Sequence, residues 1–170
     1  MLTQQLPEVQ HYYVLKEKTT IGEVLETAMG FEKTAYEFYS TLKSRVGQSL
    51  RGMVDELVEE EQRHYEMFRE IRSRDDLQEL IQDRIPVPDS DRKFSDYVQQ
   101  PEVGIYRDDQ SLLLYALGRE QAAMEQYASL AQETPAGPLR DLFIFLAQEE
   151  SDHKRELEKR YYALVFGAKG

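Results

Sequence analysis

The sequence predicts an all-α fold: a four-helix bundle made of two helical hairpins, with a long crossover between the second and third helices. Three observations carry this reading. Four stretches place apolar residues at helical spacing. Loop chemistry is concentrated at two hairpin bends and one central segment. The second half of the chain also repeats the pattern of the first.

Residues 1–18 form an N-terminal extension with no clear period, in which Tyr12, Tyr13, Val14 and Leu15 are free to pair with another element. Residues 19–167 read as the bundle. Thr20-Ile21-Gly22-Glu23 has the form of a capping box that opens the first helix, and this helix runs to about Val46 before Gly47. The second helix starts near Ser49 and reaches at least Ile71, with a pattern that can extend past Arg84. Prolines 86, 88 and 101 then mark a crossover over about residues 85–109. About 25 extended residues span up to about 80 Å, against about 37 Å for a helix of that length. The crossover can therefore return along the bundle and set the third helix parallel to the second. The third helix reads from about Asp109 to Gln132. Thr134-Pro135 predicts the cap and first residue of the fourth, which ends near Phe166 before Gly167.

Composition removes several function classes. Among 170 residues, 21 are Lys or Arg and 32 are Asp or Glu, giving a net charge of −11. Such a surface repels phosphates, which argues against nucleic acid and anionic membranes. There is no Cys, so disulfides, cysteine nucleophiles and cysteine-ligated iron are excluded from this chain. Mean hydropathy is −0.65, and no apolar run is long enough to cross a bilayer. The opening MLTQQLPEVQHYY lacks the basic and apolar regions of a secretory leader, so a cytoplasmic protein is the expectation.

The repeat gives the hairpins a common centre. Glu32-Lys33-Thr34-Ala35-Tyr36-Glu37-Phe38-Tyr39 matches Glu120-Gln121-Ala122-Ala123-Met124-Glu125-Gln126-Tyr127 in the frame E-x-x-A-x-E-x-Y. Leu57-Val58-Glu59-Glu60-Glu61-Gln62-Arg63-His64 matches Leu146-Ala147-Gln148-Glu149-Glu150-Ser151-Asp152-His153 in the frame L-x-x-E-E-x-x-H. Each apolar stripe is interrupted near its middle. The first contains Glu32, the second Glu61 and His64, the third Glu120, and the fourth Glu150 and His153. Four bare carboxylates converging on one core would cost several kcal/mol each, and the stripes carry no Lys or Arg at those depths. Two divalent ions would cancel four carboxylates. Glu and His at i and i+3 share a helix face and can reach one ion, and a mixed nitrogen and oxygen set suits iron or manganese. His11 also has Glu8 three residues before it, but follows Pro7 outside any stripe and reads as chance.

One Glu from each of two helices and one Glu-x-x-His from each of the other two resembles the ferritin-like di-iron superfamily, rubrerythrin-like proteins and bacterioferritins above all. The resemblance spans about residues 20–165. It implies that Glu61 and Glu150 bridge two ions, Glu32 and Glu120 are terminal carboxylates, and His64 and His153 each bind one ion. It further implies two iron ions, with manganese or zinc as alternatives in purified protein. The implied activity is an oxidoreductase that oxidises Fe(II) with O2 or H2O2, or reduces peroxide. Storage without turnover, manganese-catalase-like chemistry, hydroxylation and a metal-free interaction bundle are the rivals. Without a cysteine module, a peroxidase of this kind needs a separate electron-donor protein. Leu117 and Ala123 stand where rubrerythrins carry a further glutamate, which brings the set closer to symmetric bacterioferritin or manganese catalase centres. Gln62 stands where a haem-ligating Met is expected, so no haem is expected. With no obvious fifth helix after Tyr161, a homodimer or higher homo-oligomer is expected rather than a 24-subunit cage.

Tyr39 and Tyr127, two turns after Glu32 and Glu120, are placed to hydrogen-bond a carboxylate or relay an electron, with plain core packing as the competing reading. Glu59, Glu60 and Glu149 read as a solvated charged run, and Glu37 and Glu125 as solvated or interface residues. Phe94, Tyr97 and Tyr106 are placed to cover one side of the bundle.

Overall fold

A computed structural model describes residues 18–88, 90–97 and 108–167. Residues 8–15, Pro101 and Tyr106, singled out above, lie outside these. The described elements are β1 (Lys18–Thr20), α1 (Ile21–Leu42), α2 (Gln48–Ser73), β2 (Arg84–Pro86), a short α3 (Asp91–Asp96), α4 (Asp109–Glu133) and α5 (Pro138–Phe166). The all-α bundle is formed by α1, α2, α4 and α5, the four helices expected from the periodicity.

The ends of the helices follow local chemistry. Thr20 caps α1, its Oγ1 accepting from Glu23 N at 3.1 Å. The Glu23 carboxylate accepts from Thr19 Oγ1 at 3.1 Å. Helix α1 stops at Leu42, four residues before the predicted end, and residues 43–46 form a turn that binds back to Leu42 O. Helix α2 ends at Ser73. The pattern beyond it resolves into two 3-10 turns, Asp75–Leu77 and Leu80–Gln82.

The predicted start of the fourth helix is wrong by several residues. Thr134 closes α4 instead: its N–H donates to Leu130 O at 2.9 Å and its hydroxyl to the same oxygen at 2.6 Å. The proline at the first position of α5 is Pro138. It follows Gly137, whose φ of 153° favours glycine.

Gly47 N donates to Asp109 Oδ1 at 3.2 Å. This brings the starts of α2 and α4 together and makes them parallel, as the crossover length allows. At the other end β1 pairs antiparallel with β2, Thr19 opposite Ile85. The crossover then lies against α1 and α4. Phe94 stacks on Phe31 at 4.3 Å between ring centroids. Ser90 Oγ donates to Gln126 Oε1 at 2.8 Å, and Gln126 Nε2 to Asp91 Oδ1 at 3.2 Å. Burying Phe94 contributes about 2 kcal/mol. One face of the bundle is thereby covered, which explains why Phe31, Ala122 and Gln126, beside the predicted stripes, are buried.

Two apolar cores result. One contains Leu25, Ala28, Phe68, Tyr127, Phe143 and Leu146; the other contains Ala35, Tyr39, Leu50, Leu57, Leu113 and Leu157. The interrupted stripes meet between them. No described helix is long and apolar enough to cross a membrane.

Candidate metal centre

Glu32, Glu61, His64, Glu120 and Glu150 are all buried, and His153 nearly so. They project inward because each occupies a core-facing position of its helix at matched depth. One donor atom from each of Glu32, Glu61, His64 and Glu150 falls in a set whose members lie within 4.8 Å of one another. Glu61, Glu120, Glu150 and His153 form a second such set. Glu61 and Glu150 belong to both. Two donors about 2.1 Å from one ion lie up to about 4.2 Å apart, so each set needs only slight contraction to enclose an ion.

The hydrogen bonds leave the inward atoms free. Glu32 Oε2, Glu61 Oε2, His64 Nδ1, Glu120 Oε2, Glu150 Oε1 and His153 Nδ1 are buried without a partner. His64 Nδ1 is 3.1 Å from Glu150 Oε1, but not aligned as a hydrogen bond. Buried polar atoms are rarely left so, and here one comes from each of the six residues. The donor set therefore fits two divalent cations.

The outer atoms are held across the hairpins. His64 Nε2 lies 2.6 Å from Glu149 Oε2, and His153 Nε2 lies 2.5 Å from Glu60 Oε2. Glu60 and Glu149 are thus not the solvated run expected. Each holds the imidazole of the opposite hairpin with Nδ1 turned inward, the arrangement by which an outer carboxylate orients a metal-binding histidine. The repeat carried a sign of this, since both glutamates of E-E-x-x-H recur whereas Glu59 does not.

The two tyrosines differ. Tyr127 Oη donates to Glu32 Oε1 at 2.5 Å, a contact between hairpins. Tyr39 Oη is buried without a partner. Burial pushes both hydroxyls well above the usual tyrosine range, assisted by the charge of Glu120 at Tyr39 and of Glu32 at Tyr127.

Burial, then the neighbouring carboxylates, push Glu61 and Glu120 well above the usual carboxylate range. At Glu150 burial acts in the same direction but is outweighed by Glu120, His153 and His64, which hold it well below that range. Burial would lower the imidazoles, but bonds to carboxylates raise both. These shifts all come from crowding acidic and basic groups in one dry place, the crowding that bound cations would relieve.

A basic group does lie at this depth, beside the stripe rather than on it. Arg119 is buried beside Glu120. It donates to Tyr97 O and Phe31 O, each at 2.9 Å, and its guanidinium lies 4.1 Å from the Phe31 ring centre. It forms no direct ion pair with the cluster among the described residues, but its charge acts on Glu61 and Tyr39. Glu125 is half-buried and pairs with Lys93 and Gln121.

Residues 3–72 match the family model named Rubrerythrin, which covers the first hairpin. No curated protein and no solved structure matches. The second hairpin repeats the E-E-x-x-H and E-x-x-A-x-E-x-Y frames of the first and completes the same buried centre. The first hairpin is thus similar to the rubrerythrins, and the chain as a whole is an all-α bundle of four long helices built around one buried carboxylate and histidine cluster.

Proposed function

We propose that this centre holds two iron ions and that the protein is an oxidoreductase, coupling oxidation of Fe(II) to reduction of O2 or H2O2. The observation that carries this reading is the set of six partnerless inward atoms, arranged as two groups with Glu61 and Glu150 in common. An iron pair bound there would supply two electrons together for reduction of an O–O bond. The absence of sulfur from the donor set and its mixture of imidazole and carboxylate favour iron or manganese over softer or harder metals.

The chain's own residues do the rest. Glu60 and Glu149 fix the two imidazoles, so Nδ1 is presented to the core in one tautomer. Tyr127 holds one oxygen of Glu32 and leaves Oε2 for binding. The apolar cores on either side keep the carboxylates dry, which strengthens their hold on cations. Glu61 and Glu150, common to both donor sets, would help to hold both ions. Electrons for repeated peroxide reduction come from a separate donor protein, since this chain has no second redox group of the cysteine type.

The test is multiple-turnover consumption of H2O2 by iron-loaded protein with excess Fe(II) as the reductant. Consumption well beyond the bound iron, lost in Glu61→Ala and Glu150→Ala, is expected. Consumption that stops at the bound equivalents would assign the protein to storage instead.

A further inference from the structure

The two halves of the centre do not face solvent alike. The crossover covers the α1–α4 face, whereas α2 and α5 meet without a covering element among the described residues. On that open face the internal repeat sets two related approaches, one over each histidine. His153 is 14% exposed and lies in a cleft with Glu56, Glu60 and Glu156. The imidazole of His64 is 0% exposed.

The sequence of the repeat accounts for the difference. The frame that pairs His153 with His64 and Glu60 with Glu149 also pairs Glu56 with Phe145 and Glu156 with Met67. Two acidic positions at one approach are thus apolar positions at the other. Phe145 remains 45% exposed, so it spends apolar surface on solvent at a place where its counterpart carries charge. Glu156 is shared with Arg160, 3.3 Å away at the rim. Glu60 touches His153 directly, so the acidic line runs from the surface to a group that borders Glu120 and Glu150.

We propose that divalent cations reach the centre through the α2–α5 cleft over His153, and that the related approach over His64 is closed to them. This rests on the metal-centre reading above. A negatively lined cleft with apolar walls concentrates cations and speeds their arrival. Phe145 and Met67 offer a dehydrating cation nothing at the other approach. Cation traffic therefore passes the Glu120 and His153 side first, and the Glu32 and His64 side fills from within.

The test is the rate of Co(II) uptake by metal-free protein, followed by its visible absorption, in two exposed variants that shift charge by the same amount. Glu56→Gln removes one negative charge from the acidic cleft, and Phe145→Lys adds one positive charge at the related approach. Glu56→Gln is expected to slow uptake about three- to fivefold at low salt while two Co(II) per chain still bind. High salt should shrink that difference, and Phe145→Lys should leave the rate near wild type. Equal slowing in both variants would reduce the effect to overall charge and overturn the route. So would slowing in Phe145→Lys alone, or in neither. If the wild-type chain binds no Co(II) at all, the metal-centre reading itself fails, a result distinct from the loss of the route.

Discussion

Tyr39 and Tyr127 occupy the same place in the two halves of the repeat, yet only Tyr127 bonds a carboxylate. Tyr127→Phe should therefore destabilise the metal-free protein by about 1–3 kcal/mol, because Glu32 Oε1 is left buried without a donor. Tyr39→Phe should be near neutral in the same urea titration. Equal losses in the two variants would contradict the asymmetry. Glu60 and Glu149 invite a second comparison. Glu60→Gln and Glu149→Gln should each weaken metal binding by about 10–100-fold with helix content unchanged, as read by calorimetric titration. The ligand positions are legible in sequence because an acidic residue at the centre of an apolar stripe has few outcomes. Glu60 and Glu149 are harder to read, since a glutamate one position off the stripe is usually solvated. Only the opposite hairpin's histidine gives them a role.

At the scale of elements, α1, α2, α4 and α5 follow from periodicity, and the parallel course of α2 and α4 follows from the reach of the crossover. What periodicity cannot supply is the face that the crossover covers. Arg119 stands where the repeat puts Phe31, and the two stack on each other. Nothing local distinguishes a buried guanidinium there from a solvated one. It is buried because Tyr97, from a distant part of the chain, brings a carbonyl to it. The start of α5 is missed for a related reason: Thr134 can cap either neighbour, and the orphan carbonyl at the end of α4 claims it. If the crossover is an integral wall, Phe94→Ala should cost about 3 kcal/mol in thermal or urea unfolding. A loss below about 1 kcal/mol would make α3 a loosely held flap.

Across the whole molecule, the bundle stores its largest electrostatic cost at its centre. Four carboxyls and two imidazoles are gathered between two apolar cores, where burial and the neighbouring carboxylates push Glu61 and Glu120 well above the usual carboxylate range. Cations that bind the folded chain and not the unfolded one stabilise it by about 2.7 kcal/mol per site at 100-fold excess over Kd. For a domain of this size, two such sites should raise Tm by on the order of 10 °C. The rise should be lost in Glu61→Ala, since Glu61 serves both sites.

The most direct measurement is an anaerobic Fe(II) titration of metal-free protein, followed by O2 or peroxide, with the near-ultraviolet absorption recorded throughout. Saturation at two irons per chain with rapid oxidation, and loss of both in Glu61→Ala and Glu150→Ala, is the predicted result. No saturable binding, or two irons retained in both variants, would contradict a centre built on those two shared glutamates.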